Sequence, residues 1–152
     1  MNFARADGLM RQAVDERVFP AAVLLVGRVE RILFRRAYGR LGPDAGEPQT
    51  DLQTRFDIAS LTKPLVTAML ALRALESGRL CLWDKLGTFV DAPEDKRDIT
   101  VAQLLTHTAG LPGGLHLWRM TDDPAKAAEL LLNARLLARP GERVRYCCAG
   151  YL

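Results

Sequence analysis

The hydrophobic positions in the first third of the chain change from helical spacing to strand spacing and then thin out. In residues 3–17 they recur every three or four positions among charged side chains, which predicts an amphipathic helix. Residues 21–27 form a continuous apolar run and residues 31–38 a second apolar segment, so a turn at 28–30 would join them as a β-hairpin. Residues 39–54 are rich in Gly, Pro, Asp and Gln and predict a loop.

The middle of the chain contains its longest apolar run with a helical composition. Residues 64–77 have the length of a buried helix, which Ser60 would open and Gly78 would close. Residues 84–98 are mostly polar and predict irregular structure.

Two later helix starts carry capping signals. Thr100 and Gln103 have the spacing of a capping box and predict a short helix over 101–106. Asp123 followed by Pro124 predicts another start. That helix would carry apolar residues at Ala128, Leu131, Leu132 and Leu136.

The last residues indicate a fold that continues. Residues 144–146 predict a short extended segment, and residues 149–152 have the composition of an apolar helix still in progress. A two-stranded hairpin is also too little sheet for independent stability. We therefore predict a truncated α+β fold, in which residues 1–152 are the N-terminal part of a larger domain.

Ser60 and Lys63 are the first candidates for chemistry. Residues three apart share one face of a helix, so the Lys63 amine would lie near the Ser60 hydroxyl. The positive end of the helix dipole would favour negative charge developing at Ser60. Such a pair predicts an activated nucleophile. The alternative is an N-cap serine beside a solvated lysine. With two serines and four lysines, chance alone gives such a pair in about one chain in twenty.

Composition narrows the classes of partner. The net charge of +3 comes from 17 arginines and 4 lysines scattered among 18 acids, and no basic run with interleaved aromatics predicts nucleic-acid binding. Residues 1–7 lack the apolar core of a secretory signal, and no stretch is long and uncharged enough to cross a membrane. Three cysteines, two of them adjacent, predict no disulfide framework. We therefore predict a cytoplasmic protein; the oligomeric state stays open.

No cofactor or metal is predicted. The two histidines and three cysteines lack metal-ligand spacing. A Gly-x-Ser-x-Gly motif and a Walker-type glycine loop are both missing from the sequence.

Three segments resemble one known group of proteins. Residues 56–63 are similar to the nucleophile motif, residues 99–112 to the helix-and-turn signature, and residues 139–151 to the second catalytic motif of the serine β-lactamase and penicillin-binding-protein superfamily. The resemblance is to the branch of class C β-lactamases, related esterases and D-amino-acid peptidases, and it covers residues 18–152. It implies a β-lactamase/transpeptidase-like fold, with an antiparallel sheet flanked by helices plus a helical region.

The resemblance also implies acyl transfer to Ser60. Lys63 and Tyr146 would share the role of base, and the Ser60 backbone amide would donate to the oxyanion. A lysine packed beside a hydroxyl and a phenol away from water would have a lowered pKa.

Two departures from the family pattern stand out. Cys148 occupies the substrate-binding position where the family usually has the Asn of Tyr-x-Asn, and a thiol is a weaker hydrogen-bonding group than a carboxamide. The third family motif, Lys-Thr-Gly or a variant, does not occur in this sequence.

The remaining candidates have structural interpretations. We expect His107 to be a hydrogen-bonding residue of its turn and His116 to lie at the surface. Trp83 and Trp118 would be partly buried packing residues or, alternatively, would line a substrate cleft.

The leading hypothesis is a serine hydrolase of small esters or amides. The alternatives are a non-catalytic binding or regulatory module on the same scaffold, an inactive fragment, and a redox role for the adjacent pair Cys147-Cys148. The chain by itself is expected to be marginally stable, because later strands of the sheet would be missing.

Overall fold

The structure is a computed structural model that describes residues 2–42, 44 and 46–151. Three positions covered by the sequence predictions lie outside the described residues, namely Pro43 and Ala45 of the predicted loop and Leu152 of the final apolar run. The chain divides into two compact units, Met1–Asp57 and Ile58–Leu152.

The first unit is a helix and a β-hairpin. Helix α1 spans Ala4–Asp15, strand β1 spans Ala21–Arg28 and strand β2 spans Arg31–Gly39. The strands pair antiparallel, with Ala21 opposite Gly39 and Arg28 opposite Arg31. The predictions of an amphipathic helix followed by a hairpin are confirmed.

A carboxylate on α1 connects the helix to β2. Asp7 accepts a hydrogen bond of 2.8 Å from the hydroxyl of Tyr38, which is buried, and one of 2.7 Å from Arg36. The Tyr38 hydrogen bond, together with Arg36 and Arg11 and against partial desolvation, holds the pKa of Asp7 below its usual value. The helix is therefore fixed to the sheet by a charge-assisted contact as well as by packing.

Over residues 58–151, the second unit contains three α-helices and a small core. The helices are α2 (Met69–Glu76), α3 (Val101–Leu105) and α4 (Pro124–Leu132). Ile99 and Cys147 are its most deeply buried large side chains. The core around them is completed by the buried residues Ala109, Leu111 and Ala149.

The predicted caps of α3 and α4 are confirmed. Thr100 and Gln103 form both hydrogen bonds of a capping box, and Asp123 accepts from the Ala125 amide. The placement of Leu136 on α4 is wrong, since the helix ends at Leu132. Beyond it, the amide of Leu137 donates to the carbonyl of Gly110 instead of continuing the helix.

The end of α2 also follows the prediction. Gly78 has a φ of +69°, its amide donates to the carbonyl of Leu75, and the amide of Arg79 donates to the carbonyl of Ala74. These bonds are the paired termination of a helix by a left-handed glycine. Glycine adopts this φ without the steric penalty that a Cβ would bring.

The predicted start of this helix at Ser60 is wrong. Ser60 lies in a 3-10 turn, Ala59–Leu61, which leads into a π-helical segment, Lys63–Ala68, and only then into α2. Proline is a physical reason for the wider turn. Pro64 has no amide hydrogen to donate, and its ring would crowd the carbonyl four residues earlier, at Ser60.

The predicted burial of this helix is also wrong for the described chain. None of the residues from the 3-10 turn to the end of α2 is buried. We call the exposed apolar side chains of this stretch the α2 face. It consists of Leu61, Leu65, Val66, Met69, Leu70 and Leu72.

Residues 84–98 are irregular, as predicted, apart from a 3-10 turn at Leu86–Thr88, and a second 3-10 turn lies at Leu117–Arg119. The start of a final helix appears as a 3-10 turn at Ala149–Tyr151. Within the described residues, no helix combines the length and the apolar character needed to cross a membrane.

Candidate active site

Lys63 lies between two potential nucleophiles. Its Nζ is 3.4 Å from Ser60 Oγ and 3.4 Å from Cys148 Sγ. Ser60 and Cys148 are exposed, and Lys63 is partly buried. The predicted approach of the lysine amine to the serine hydroxyl is therefore present, although a 3-10 turn and a π-helical segment produce it instead of an α-helix.

The backbone before Ser60 is in an unusual conformation. Ala59 has a φ of +43°, a left-handed value that is uncommon for a residue with a Cβ. Such conformations cost free energy and are concentrated at functional sites. The turn leaves the Ser60 side chain exposed instead of packing it along a helix.

Tyr146 and Cys148 reach the same lysine from one irregular segment. Lys63 Nζ lies 5.4 Å from the centroid of the Tyr146 ring. Cys147, between them, is buried in the core. The alternation of exposed, buried and exposed side chains fixes the segment while leaving Tyr146 and Cys148 beside the lysine.

His107 forms hydrogen bonds with the backbone amides of both residues that flank Tyr146. Its carbonyl accepts from the amide of Arg145 at 2.8 Å, and its Nδ1 accepts from the amide of Cys147 at 3.4 Å. Its ring lies against that of Tyr146, with centroids 4.7 Å apart. The prediction that His107 is a structural hydrogen-bonding residue is confirmed, and the structure identifies what it positions.

His107 also occupies a left-handed backbone conformation, with a φ of +58°. Burial and the nearby positive charge of Lys63 lower the pKa of its imidazole. A lowered pKa favours the neutral ring, which can accept the Cys147 amide at Nδ1. The sequence offered no direct signal for these contacts of His107, because the residues that it contacts lie about 40 positions further along the chain.

The prediction of a lowered pKa for Lys63 is wrong. Desolvation does lower it, but the side chains of Tyr146 and Cys148 act in the opposite direction, and the net result is a pKa above the usual value. The amine is only partly buried, so stabilisation of its charged form by these neighbours exceeds the cost of desolvation. Lys63 is therefore an ammonium group at neutral pH.

A cavity of about 530 Å³ adjoins the Cys148 side of the site. Most of its wall is apolar and comes from α4 and the loop before it. Its lining includes Leu115, Leu117, Trp118, Pro124, Leu131 and Cys148. An apolar cavity beside candidate nucleophiles is a typical place for a small ligand.

The two tryptophans are not the packing residues we preferred from the sequence. Trp83 is 74% exposed and Trp118 is 69% exposed. Trp118 lines the cavity of about 530 Å³, whereas Trp83 does not, and the interpretation of this cavity as a substrate cleft stays a prediction. His116 is exposed, as predicted.

The three cysteines are free thiols. Cys147 is buried and Cys148 exposed, so the structure gives the vicinal-disulfide hypothesis no support. Among the described residues, no group of three or more His, Cys, Asp or Glu side chains is arranged to hold a metal ion.

Comparison with protein families gives one match over nearly the whole chain. Residues 6–152 match the family model described as Beta-lactamase. The esterase EstB of Burkholderia gladioli is 40% identical over 116 residues, covering 71% of this chain and 29% of that protein. An N-acetylmuramyl-L-alanine amidase of Bacillus subtilis is 28% identical over 155 residues, covering 88% of this chain and 35% of the amidase. The chain thus spans about a third of these relatives.

Solved structures show the same fold. EstCE1, a hydrolase with promiscuous acyltransferase activity, superposes with a TM-score of 0.76 at 29% identity, covering 96% of this chain and 43% of that structure. A penicillin-binding protein homologue from Pyrococcus abyssi gives a TM-score of 0.81 at 23% identity, covering 99% of this chain and 37% of that structure. These similarities confirm the predicted β-lactamase/transpeptidase-like fold.

Proposed function

This chain belongs to the beta-lactamase family, and we propose that the intact protein is a serine hydrolase which transfers acyl groups from small esters or amides to water through Ser60. The observation that carries the proposal is the contact of 3.4 Å between the Lys63 amine and the Ser60 hydroxyl, at the foot of a strained turn. Relatives of this family include proteins named as esterases and carboxypeptidases.

The raised pKa of Lys63 assigns different catalytic roles to Lys63 and Tyr146. Because Lys63 keeps its proton, it donates to Ser60 Oγ and supplies positive charge, while Tyr146 accepts the proton that Ser60 loses on attack. The Lys63 amine lies 5.4 Å from the centroid of the Tyr146 ring, so its positive charge is close to both groups of this step. The Ser60 amide is one donor to the oxyanion, and removing such a donor typically costs about 3 kcal/mol of barrier.

Deacylation follows the reverse proton path. Acylation ends when the proton held by Tyr146 passes to the departing alcohol or amine as its bond to the carbonyl breaks. Water then attacks the acyl-serine carbonyl, Tyr146 takes the proton from water, and Tyr146 gives it to Ser60 Oγ as the bond between Ser60 and the acyl group breaks. The chain spans 29% of EstB and 43% of EstCE1, so the proposal is made for the intact protein.

An ester with an apolar acyl or alcohol group is the substrate that fits best. The cavity wall from α4 offers apolar surface, and it reaches the site at Cys148. The esterase name of the relative that is 40% identical supports the same class. A thiol at the position of a family carboxamide removes the strongest group for holding a substrate amide, which favours esters over amides.

The test uses the full-length protein with p-nitrophenyl acetate, p-nitrophenyl butyrate and a chromogenic cephalosporin. We expect turnover of the esters and little turnover of the lactam, and we expect Ser60→Ala to abolish turnover. Ester hydrolysis that is equal in the parent protein and in Ser60→Ala would contradict the proposal.

A non-catalytic binding module is the second candidate, and one observation favours it. A lysine with a raised pKa and a thiol in the carboxamide position together leave the site without its usual base and amide clamp. This candidate predicts reversible binding of an ester or lactam without covalent labelling of Ser60. A fluorescent penicillin that remains bound after denaturation would exclude it.

A further inference from the structure

The environment of Cys148 differs from that of the other two cysteines. Its Sγ lies 3.4 Å from the Lys63 amine, its side chain is exposed, and it lines the cavity beside the site. Cys81 is exposed, its thiol contacts no cation among the described residues, and Cys147 is buried. One chain thus contains a cation-paired, an exposed and a buried thiol.

The contact with Lys63 places a positive charge 3.4 Å from the Cys148 sulfur. The thiolate, not the thiol, is the nucleophile in exchange reactions, and a neighbouring ammonium stabilises it. The same attraction appears at the amine, where Cys148 contributes to the raised pKa of Lys63. Accessibility then decides whether a reagent can reach the sulfur, and Cys148 is exposed and lines the cavity.

We propose that Cys148 is a thiol switch of the active site, closed when a small-molecule disulfide forms a mixed disulfide with its sulfur. The Cys148 thiolate attacks one sulfur of the reagent, the S–S bond of the reagent breaks, and its other half leaves as a thiolate. Cys148 is oxidised and the released half is reduced. A second thiol reverses the reaction by attacking the mixed disulfide.

The effect on the hydrolase rests on the function proposed above. A group attached to Sγ would lie beside an amine that is itself 3.4 Å from Ser60 Oγ. Modification replaces the sulfhydryl that contacts the Lys63 amine with a mixed disulfide, and it adds bulk to a residue that lines the cavity. Both changes would disturb the contact between Lys63 and Ser60.

The first experiment measures thiol reactivity alone. Full-length protein is treated with 5,5′-dithiobis(2-nitrobenzoate) and, in parallel, with the neutral reagent iodoacetamide, and peptide mass spectrometry gives the rate at each cysteine. We expect Cys148 to react about tenfold faster than Cys81 with both reagents, and Cys147 to stay unmodified in the native protein. Equal rates at Cys148 and Cys81 would overturn the proposal.

Substitution of Lys63 separates the effect of its charge on the reaction rate of Cys148 from the effect of the exposure of Cys148. Lys63→Met should bring the rate at Cys148 down to that at Cys81, whereas Lys63→Arg, which keeps a positive charge, should retain most of the acceleration. An unchanged rate in Lys63→Met would show that the cation has no role and would overturn the proposal. Circular dichroism of both variants confirms that the comparison is made on folded protein.

The second experiment measures the switch. A fluorophosphonate probe labels Ser60 before modification, after modification by the disulfide, and after reduction with dithiothreitol. Labelling should fall at least about fivefold and then recover, and in Cys148→Asn the disulfide should have no effect on labelling. Rapid modification of Cys148 with unchanged labelling of Ser60 would overturn the switch. Absence of labelling in the reduced protein would instead overturn the proposed function, and the peptide rates would still decide the reactivity of Cys148.

Discussion

The imidazole of His107 packs against the ring of Tyr146, with centroids 4.7 Å apart, and its Nδ1 accepts a hydrogen bond from the amide that follows this tyrosine. A residue outside the proton path thereby fixes the proposed base. A displacement of catalytic groups by about 1 Å can cost a factor of about 100 in rate. The position of Tyr146 should therefore be sensitive to substitution of His107.

We expect His107→Leu to lower kcat/KM for p-nitrophenyl butyrate by roughly 10- to 100-fold, because it removes the acceptor of the Cys147 amide and strains the left-handed backbone. His107→Asn keeps an acceptor and tolerates a φ of +58°, so its kcat/KM should stay within a few-fold of the parent value. Equal losses in the two variants, measured at a temperature where both are folded, would contradict this positioning role.

Trp118 should influence which ester is preferred. It lines the cavity of about 530 Å³, and one methylene in an apolar pocket is worth about 1–3 kcal/mol of discrimination. We expect Trp118→Ala to reduce kcat/KM for p-nitrophenyl butyrate about tenfold more than for the acetate. Trp83→Ala is the matched control, since Trp83 is exposed outside this cavity, and it should leave the ratio unchanged. A similar change of the ratio in both variants would contradict the assignment of the cavity.

The contact of Asp7 with Tyr38 should make the stability of the first unit depend on acidic pH. The pKa of Asp7 in the folded protein lies below the ordinary value of 3.8, so the stabilising contribution of Asp7 is complete above that pH and is lost as the pH falls through the folded pKa. We expect the urea midpoint, followed by circular dichroism, to fall below about pH 4. The fall should be smaller in Asp7→Asn.

Asp15→Asn provides the control for this pH dependence. Asp15 lies at the end of the same helix, and its side chain makes no hydrogen bond or ion pair with the described residues. In Asp15→Asn, the urea midpoint should fall with acidic pH as much as it does in the parent protein. If Asp7→Asn and the parent lost stability equally between pH 5 and pH 3, the contact would not be the cause.

Residues 1–152 expressed alone should bind a hydrophobic dye through the α2 face. Its side chains are between 45% and 62% exposed, and contiguous apolar surface of this kind binds dyes and promotes association. We expect Leu65→Gln combined with Leu72→Gln to lower 8-anilinonaphthalene-1-sulfonate fluorescence at unchanged helix content. Leu9→Gln, at an exposed leucine of α1, should leave it nearly unchanged. An absence of dye binding by the parent chain would contradict this expectation.

The sequence predicted the elements whose signals are local. The capping residues Thr100 and Asp123 and the terminating Gly78 act within a few positions of themselves, so their patterns identify the helix ends directly. The hairpin is equally local, because two apolar segments and a short turn specify it. The pairing of Lys63 with Ser60 was also predictable, since only three positions separate them.

Features that depend on distant contacts could not be predicted in this way. The pKa of Lys63 is raised by Tyr146 and by Cys148, which lies 85 positions further along the chain. The turn before Ser60 depends on the left-handed backbone of Ala59, a residue whose type gives no such signal. Apolar composition likewise predicted a buried α2 face, although burial requires a partner that composition does not describe.

Covalent labelling of Ser60 tests the central proposal most directly. Full-length protein is incubated with a fluorophosphonate probe, and the labelled residue is identified by peptide mass spectrometry. Ser77, the second serine of this chain, accepts a hydrogen bond from Arg79 and donates one to the carbonyl of Ala74, which makes Ser77→Ala a matched control. We predict labelling at Ser60 that is lost in Ser60→Ala and retained in Ser77→Ala. An absence of label at Ser60 in the folded parent protein, or equal labelling in Ser60→Ala, would contradict the proposal that Ser60 is the nucleophile.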